Sequence, residues 1–362
     1  MMESTYPQAM IELAARYLES PAERVQIIKL TGDASTRAYF RAATEGRSLI
    51  ASLYGAPFDD TERAAARVAR LEAANPSARL TFGSDPCAHI EATALFLDAG
   101  LPVPRILATA GTEGLMLFAD VGDVRLQDWM TDRSPSEIRK AYSRALELIV
   151  DIQAATELAL KADTICARMC FDEAKLRWEL GFFFANYFNR YLRMRLDPAT
   201  ANGVQDDFRA LCGELAARPR VLTHRDYHAR NLMMHDDRMF IIDHQDARMG
   251  PASYDVASLL SDPYTTLDDD LVAELIARFI DMKAVSSAPL ADVEEFRTEL
   301  DLMTVQRMLK AIGTYASQAA LNNPTYVAYI EPARQRALAA IERLGRFDTT
   351  RALLERTREA QI

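Results

Sequence analysis

The segment Thr223-His224-Arg225-Asp226-Tyr227-His228-Ala229-Arg230-Asn231 constrains this chain more than any other, together with the run Met239-Phe240-Ile241-Ile242 that ends in Asp243. Asp226 comes first, Asn231 follows five residues later, and Asp243 closes an apolar stretch. A carboxylate placed like Asp226 can orient a hydroxyl and accept its proton during phosphoryl transfer. Asn231 and Asp243 then offer a neutral and a charged oxygen, the hard ligands that magnesium takes beside the phosphates of ATP. Taken singly, Asp226 would read as an Asx-turn, Asn231 as a turn residue and Asp243 as a helix N-cap. Three coordinated positions in one window favour the chemical reading.

Four of the five histidines gather here: His224, His228, His235 and His244. His224 and His228 stand four apart, which is a zinc spacing only on a helix, and the local sequence is a loop. His224 therefore reads as a packing residue supporting the loop. His228 and Arg230 lie between the base and the metal ligand, where either could touch the γ-phosphate or the acceptor; for Arg230 a solvated loop charge reads equally well. Asp255 opens the helix after Gly250-Pro251. It either serves the helix dipole or, the preferred reading, accepts bonds from the backbone of the catalytic loop.

Along the chain, a helix at 8–19 precedes strand-like runs at 25–30, 38–42 and 48–54. Gly32 to Arg37 is a candidate phosphate-covering loop, with Gly32 and Ser35 small enough for backbone N–H groups to approach phosphate oxygens. Strand alternation places Arg37, Tyr39 and Arg41 on one face, opposite Ala38 and Phe40. Over a cleft, an Arg of that face would pair with ATP phosphates; over solvent it would form a polar stripe. Residues 59–85 read as an inserted helix and loop. A helix at 88–99 and strands at 104–109 and 115–119 follow, and from Gln127 the pattern turns helical. Long helices are expected near 135–160, 172–194, 268–283, 291–319 and 325–344. The chain is therefore α+β in two lobes: a small β-rich lobe over 1–119 and a larger, mainly helical lobe over 120–362.

Lys and Arg total 42 against 52 Asp and Glu, a net charge of −10, which argues against a general nucleic-acid or anionic-membrane binder. Cys87, Cys166, Cys170 and Cys212 match no zinc or CxxC spacing and read as reduced, buried thiols of a cytoplasmic protein. The N-terminal residues lack the pattern of a signal peptide, and no apolar run is long enough to span a bilayer.

The residues His224 to Leu232, Ile242 to Ala247, Gly250-Pro251 with Tyr254-Asp255, and Ser258 to Tyr264 resemble the aminoglycoside phosphotransferase family of kinases. Within it they are most similar to the bacterial branch acting on N-acetylmuramate and N-acetylglucosamine. Weaker matches are Gly32-Asp33-Ala34-Ser35, Ala99 to Pro104, and Val305-Gln306-Arg307 with Lys310 and Gly313; the likeness covers about 24–345. It implies a protein-kinase-like fold, ATP and Mg2+, and phosphorylation of an amino sugar at its anomeric hydroxyl in cell-wall recycling. By motif position, Asp226 is the base and Asn231 and Asp243 the metal ligands. Met116 to Ala119, Phe118 included, form the adenine-side hinge, and Asp262, Tyr264, Arg307 and Lys310 are the sugar contacts. The chain departs from the pattern in three places. Ser48 to Tyr54 lacks the phosphate-pairing Lys of most kinases, Tyr54-Gly55-Ala56-Pro57 replaces a Met-Asp-Ala-Pro turn, and the 59–85 insertion is long.

Two other functions compete. An aminoglycoside or a choline-like alcohol is a possible acceptor, and the acidic balance permits a groove for a polycation. A nucleotide-binding pseudokinase module is favoured by the missing Lys and the absent GxGxxG, and opposed by Asp226, Asn231 and Asp243 standing together.

Overall fold

The computed structural model describes residues 7–30, 37–74 and 85–357. The first lobe consists of α1 (Gln8–Leu18), β1 (Gln26–Lys29), β2 (Ala38–Thr44), β3 (Arg47–Leu53), α2 (Ala64–Ala74), α3 (Pro86–Asp98), β4 (Ile106–Ala110) and β5 (Leu115–Ala119). The five strands form one sheet in the order β1-β2-β3-β5-β4, antiparallel at every pairing. Alternation gives the sheet two different faces. Phe40, Ala42, Leu49, Ala51, Leu115 and Leu117 pack under Met10, Ala14 and Leu18 of α1. Ile50, Met116 and Phe118 point the other way, with Tyr54, Phe58 and Ile106.

The chain leaves the sheet at Ala119 through a turn at Gly122, whose φ of +80° suits glycine. A side chain there would also meet the His235 ring, since a Cβ would sit 2.8 Å from Nδ1. The second lobe begins with α4 (Pro135–Ala154), started by a capping box in which Ser134 and Glu137 bond each other's backbone N–H. It continues with α5 (Glu173–Phe184), α6 (Pro198–Ala216), β6 (Arg220–Thr223), β7 (Leu232–His235), β8 (Arg238–Ile241), β9 (Arg248–Pro251) and α7 (Tyr254–Leu260). The last helices are α8 (Asp269–Ala284), α9 (Val293–Ala320), α10 (Ile330–Leu344) and α11 (Asp348–Arg356). α9 is the axis of this lobe. Every residue from Leu302 to Leu309 is buried, the mark of a helix packed on all sides. None of the described helices is long and apolar enough to cross a membrane.

Two details differ from the sequence reading. The helix expected over 172–194 is α-helical only to Phe184 and continues as a wide π turn over Ala185–Tyr191. No helix is expected between 194 and 221, yet α6 is there, N-capped by Asp197 and burying Val204, Phe208 and Leu211. Its two glycines dilute the helical signal. The helix expected after Gly250-Pro251 is there as α7, and Gly250-Pro251 itself ends β9, which pairs with β6 on one side and bridges Cys170 at Met249 on the other. The helix expected in the insertion at 59–85 is α2, and residues 75–84 lie outside the described residues.

Where α9 crosses α5, a Cβ on Gly313 would stand 2.6 Å from Phe183 Cα and 3.0 Å from its N. Gly313→Ala is therefore expected to cost about 1–3 kcal/mol, as overpacking does. A urea titration measures it; an unchanged midpoint would show that the helices part without strain.

Candidate active site

The loop from His224 to Asn231 runs between β6 and β7, so its N–H groups have no ladder to join and other groups must satisfy them. Two carboxylates do this. Asp255, in the first turn of α7, accepts from His224 N at 2.7 Å and Arg225 N at 3.0 Å. Asp262, just past α7, accepts from Ala229 N at 2.8 Å and Tyr264 N at 2.9 Å. Burial pushes Asp255 up to about 7 and Asp262 up to about 6, against the lowering effect of those N–H bonds. The Tyr227 hydroxyl donates to Ala145 O at 2.9 Å, fixing the loop to α4. His224 is fully buried, and burial lowers its pKa and keeps it neutral. Its Nε2 then donates to Ile242 O at 2.9 Å, tying the loop to the segment that carries Asp243. Arg225 and Arg248 make the same tie a second time, both pairing with Asp246.

Asp226 projects from this frame into the cleft between the lobes. Lys310 Nζ at 2.7 Å and Arg307 Nη1 at 3.2 Å both donate to its Oδ1, while Arg225 Nε lies 3.8 Å from Oδ2. Arg307 and Lys310 stand three apart on α9 and so share a face. Burial alone would raise Asp226, but Lys310, Arg225 and Arg307 outweigh it and hold the carboxyl well below its ordinary range. The group is a fixed anion with one oxygen anchored and Oδ2 left to meet a hydroxyl.

Asn231 and Asp243 line the same cleft. Asn231 Nδ2 donates to Asp226 O at 2.8 Å, which leaves its amide oxygen as the atom for a cation. Asp243 has a φ of +64°, a left-handed conformation that Asp tolerates better than most residues. Its Oδ1 accepts from Gln245 Nε2 at 2.7 Å and Arg37 Nη2 at 3.3 Å. A neutral carbonyl and a carboxylate fit a magnesium ion that completes its shell with phosphates and water. Among the described residues no three His, Cys, Asp or Glu gather into a metal-binding group. His228 packs edge-on against Tyr264 at 5.3 Å, so it and His224 do not converge as a zinc pair would.

The cleft holds about 800 Å³. Leu30, Ile50, Pro104, Phe118 and Ala119 line it from the sheet side, facing Met233 and Ile242. Three expected contacts are corrected, two with the nucleotide and one with the sugar. Met116 is wholly buried and does not reach the cleft, because it packs into the core beneath the sheet. Arg41 bonds Asp120 at 2.6 Å and Asp123 at 2.5 Å, so it braces the connection between the lobes instead of facing phosphates. Asp262 lines the cleft, but both its oxygens are taken by backbone N–H. Gly32 and Ser35 lie outside the described residues. Arg37, by contrast, lines the cleft. At the other end, Arg230 stacks on Tyr264 at 4.6 Å and Tyr326 at 5.5 Å, with Lys175 and Trp178 of α5 further along the wall.

The sequence reading missed His89, Glu179 and Asp246. Glu179 is buried between Lys175 at 3.5 Å and Arg225 at 3.8 Å and accepts from Gln306 at 2.8 Å. Only its Lys at i−4 is a local signal; the other partners come from distant elements.

Residues 26–290 match the phosphotransferase enzyme family. An N-acetylmuramate/N-acetylglucosamine kinase of Pseudomonas aeruginosa is 31% identical over 297 residues, 82% of this chain and 77% of that protein. The protein of the same name from Pseudomonas putida is 29% identical over 223 residues, 61% of this chain and 63% of that one. Among solved structures, a choline kinase from Cryptosporidium parvum superposes with a TM-score of 0.60 at 10% identity, covering 96% of each chain. That likeness concerns the fold, which is bilobal and protein-kinase-like.

The ion pairs at Asp226 set a pH dependence. A depressed pKa keeps the carboxylate charged as pH falls, so kcat/KM should lose nothing through Asp226 until well below the ordinary carboxylate range of about 4. Lys310→Met removes the nearest cation and should move that acid limb upward. A pH–rate profile with its acid limb unmoved in the variant would separate Lys310 from the ionisation of Asp226.

Proposed function

The chain belongs to the phosphotransferase enzyme family, and from that premise we propose that it transfers the γ-phosphoryl group of ATP to the anomeric hydroxyl of an N-acetylated amino sugar. The observation that carries the reading is Asp226, anchored at Oδ1 by Lys310 and Arg307 with Oδ2 open, in one cleft with Asn231 and Asp243. In this reading residues 1–119 form the nucleotide lobe and 120–362 the lobe that holds the acceptor.

Asp226 accepts the hydrogen bond of the sugar hydroxyl through Oδ2 and takes its proton late, as the new P–O bond forms. Because its cations make it a weak base, its main contribution is orientation, which suits a loose phosphoryl-transfer transition state. Asn231 and Asp243 would hold a magnesium ion, which when bound supplies positive charge to the phosphate oxygens. Phe118 and Ala119 bound the adenine end, with Ile50 above and Ile242 below. Tyr264, Arg230 and Trp178 wall the acceptor end, where aromatic faces suit the C–H face of a sugar ring. His228 is held neutral, lowered by burial to about 3, and serves this wall as a donor or acceptor without charge.

The names of the two Pseudomonas relatives support the sugar. An aminoglycoside fits less well: Lys175, Arg225, Arg307 and Lys310 line the cleft and would repel a polycation. A pseudokinase would have no use for the pairing that keeps Asp226 ionised. An anomeric sugar phosphate made in the cytoplasm would feed cell-wall sugar recycling.

The test is Mg-ATP turnover against N-acetylmuramate, N-acetylglucosamine, other hexosamines, aminoglycosides and choline, with phosphorus NMR of the product. An anomeric phosphate is expected; turnover on aminoglycosides alone would reassign the enzyme to antibiotic modification. Asp226→Asn should lower kcat by about 10²–10⁴ with KM little changed. Asp243→Ala should remove the magnesium-dependent turnover, and a variant with unchanged metal dependence would count against Asp243 as its ligand.

A further inference from the structure

We infer that Arg336 is a positioning residue for the catalytic loop and acts on it at second hand. It pins residues 261–265, and that segment holds the loop at Ala229, between Asp226 and Asn231. The inference rests on the kinase reading for what the loop does; the link from Arg336 to the loop stands on geometry alone.

Residues 261–265 follow α7 directly and are neither helix nor strand, so their carbonyls join no ladder. Arg336, in the middle of α10, meets three of them. Its Nη1 donates to Asp262 O and to Ser261 O at 3.4 Å, and its Nη2 donates to Thr265 O at 2.6 Å. A guanidinium presents its donors in a rigid planar fork, which suits carbonyls at both ends of one short segment. Gln127 Nε2 donates to a fourth, Tyr264 O, at 3.1 Å.

The segment passes this restraint on. Asp262 Oδ2 accepts from Ala229 N at 2.8 Å and its Oδ1 from Tyr264 N at 2.9 Å. Ala229 stands three residues after Asp226 and two before Asn231. Asp255 meets the start of the catalytic loop, at His224 and Arg225, whereas Asp262 meets its second half. A shift of the Asp262 backbone therefore changes how base and metal ligand stand to each other.

Arg336 works from a firm base. Ala333, Ala337, Ala340 and Ile341 of α10 are buried in the core of the second lobe, which fixes the helix that carries it. Burial lowers the Arg336 pKa, and the charge of Asp262 opposes that. At Asp262 burial is the raising influence. The N–H groups of Ala229 and Tyr264, and then Arg336, draw it back toward the ionised form, in which both oxygens accept.

Hydrogen exchange of the whole protein, read by mass spectrometry, tests the link without turnover. In Arg336→Met, peptides covering 261–266 and 226–232 should both exchange about tenfold faster, while β2 and β3 exchange as in the wild type. Arg336→Lys keeps the charge but loses the fork and should fall between the two; it carries the same comparison if the Met variant does not fold. In steady state, kcat of Arg336→Met should fall about 10–100-fold with KM for ATP unchanged. Faster exchange at 261–266 with 226–232 at the wild-type rate would overturn the inference. Faster exchange throughout the chain would make Arg336 a prop of the fold, and an unchanged kcat would leave it no part in positioning. Wild-type protein that phosphorylates no sugar would overturn the kinase reading instead, and the exchange rates would still decide the link.

Discussion

The active site hangs on two buried carboxylates that never touch the reacting atoms. The loop carrying Asp226 is neither helix nor strand, and a buried N–H left without a partner costs about 1–3 kcal/mol. Asp255 and Asp262 meet that demand from about thirty residues further along the chain. Their burial is unfavourable, as the upward shift of both shows. The cost is offset because each carboxylate fixes two donors at once and sits at or just beyond a helix whose residues are nearly all buried. A loop held this way can carry Arg225 at a φ of +85° and present Asp226 at one angle.

Charge in the cleft floor is distributed by sharing. Asp226 takes Lys310 and Arg307, Glu179 takes Lys175 and Arg225, and Asp246 takes Arg225 and Arg248. No one of these ions is buried alone, and Arg225 links the catalytic loop to the segment after Asp243. Breaking one partner out of such a network costs more than the pair contributes, because it leaves a buried charge behind. A carboxylate facing three cations, as Asp226 does, is a poor proton acceptor and a good positional anchor.

How far the sequence foretold this depended on distance along the chain. That Asp226, Asn231 and Asp243 share one cleft could be read from their order within one short stretch. The two-lobed α+β fold could be read because alternation in the first third gives way to helical periodicity. The partners of Asp226 could not be read as partners: Arg307 and Lys310 lie 81 and 84 residues away and meet it only when α9 passes under the loop. They were expected at the sugar; both line the cleft and both also donate to the carboxylate of Asp226. Arg41 failed for a related reason. Alternation names the face of a strand, and says nothing of the acidic turn at Asp120 and Asp123 that captures one end of that face.

The two cores explain why the floor of the cleft is fixed. Met10, Phe40, Leu49 and Leu117 form a core of the sheet and α1 alone. Cys87, Ala92, Leu95 and Phe96 of α3 belong instead to the large core of the helical lobe. Thr93 of α3 reaches His244 Nε2 at 2.8 Å, which joins that helix to the Asp243 segment. The sheet therefore rides on α3 through a thinner contact than either core. Arg37 meets Asp243 across this contact at 3.3 Å, with its own side chain 7% exposed and that of Asp243 41% exposed. The cations at Asp226 are held from the other lobe, since Arg307 and Lys310 lie at the end of the stretch of α9 that is buried throughout Leu302–Leu309.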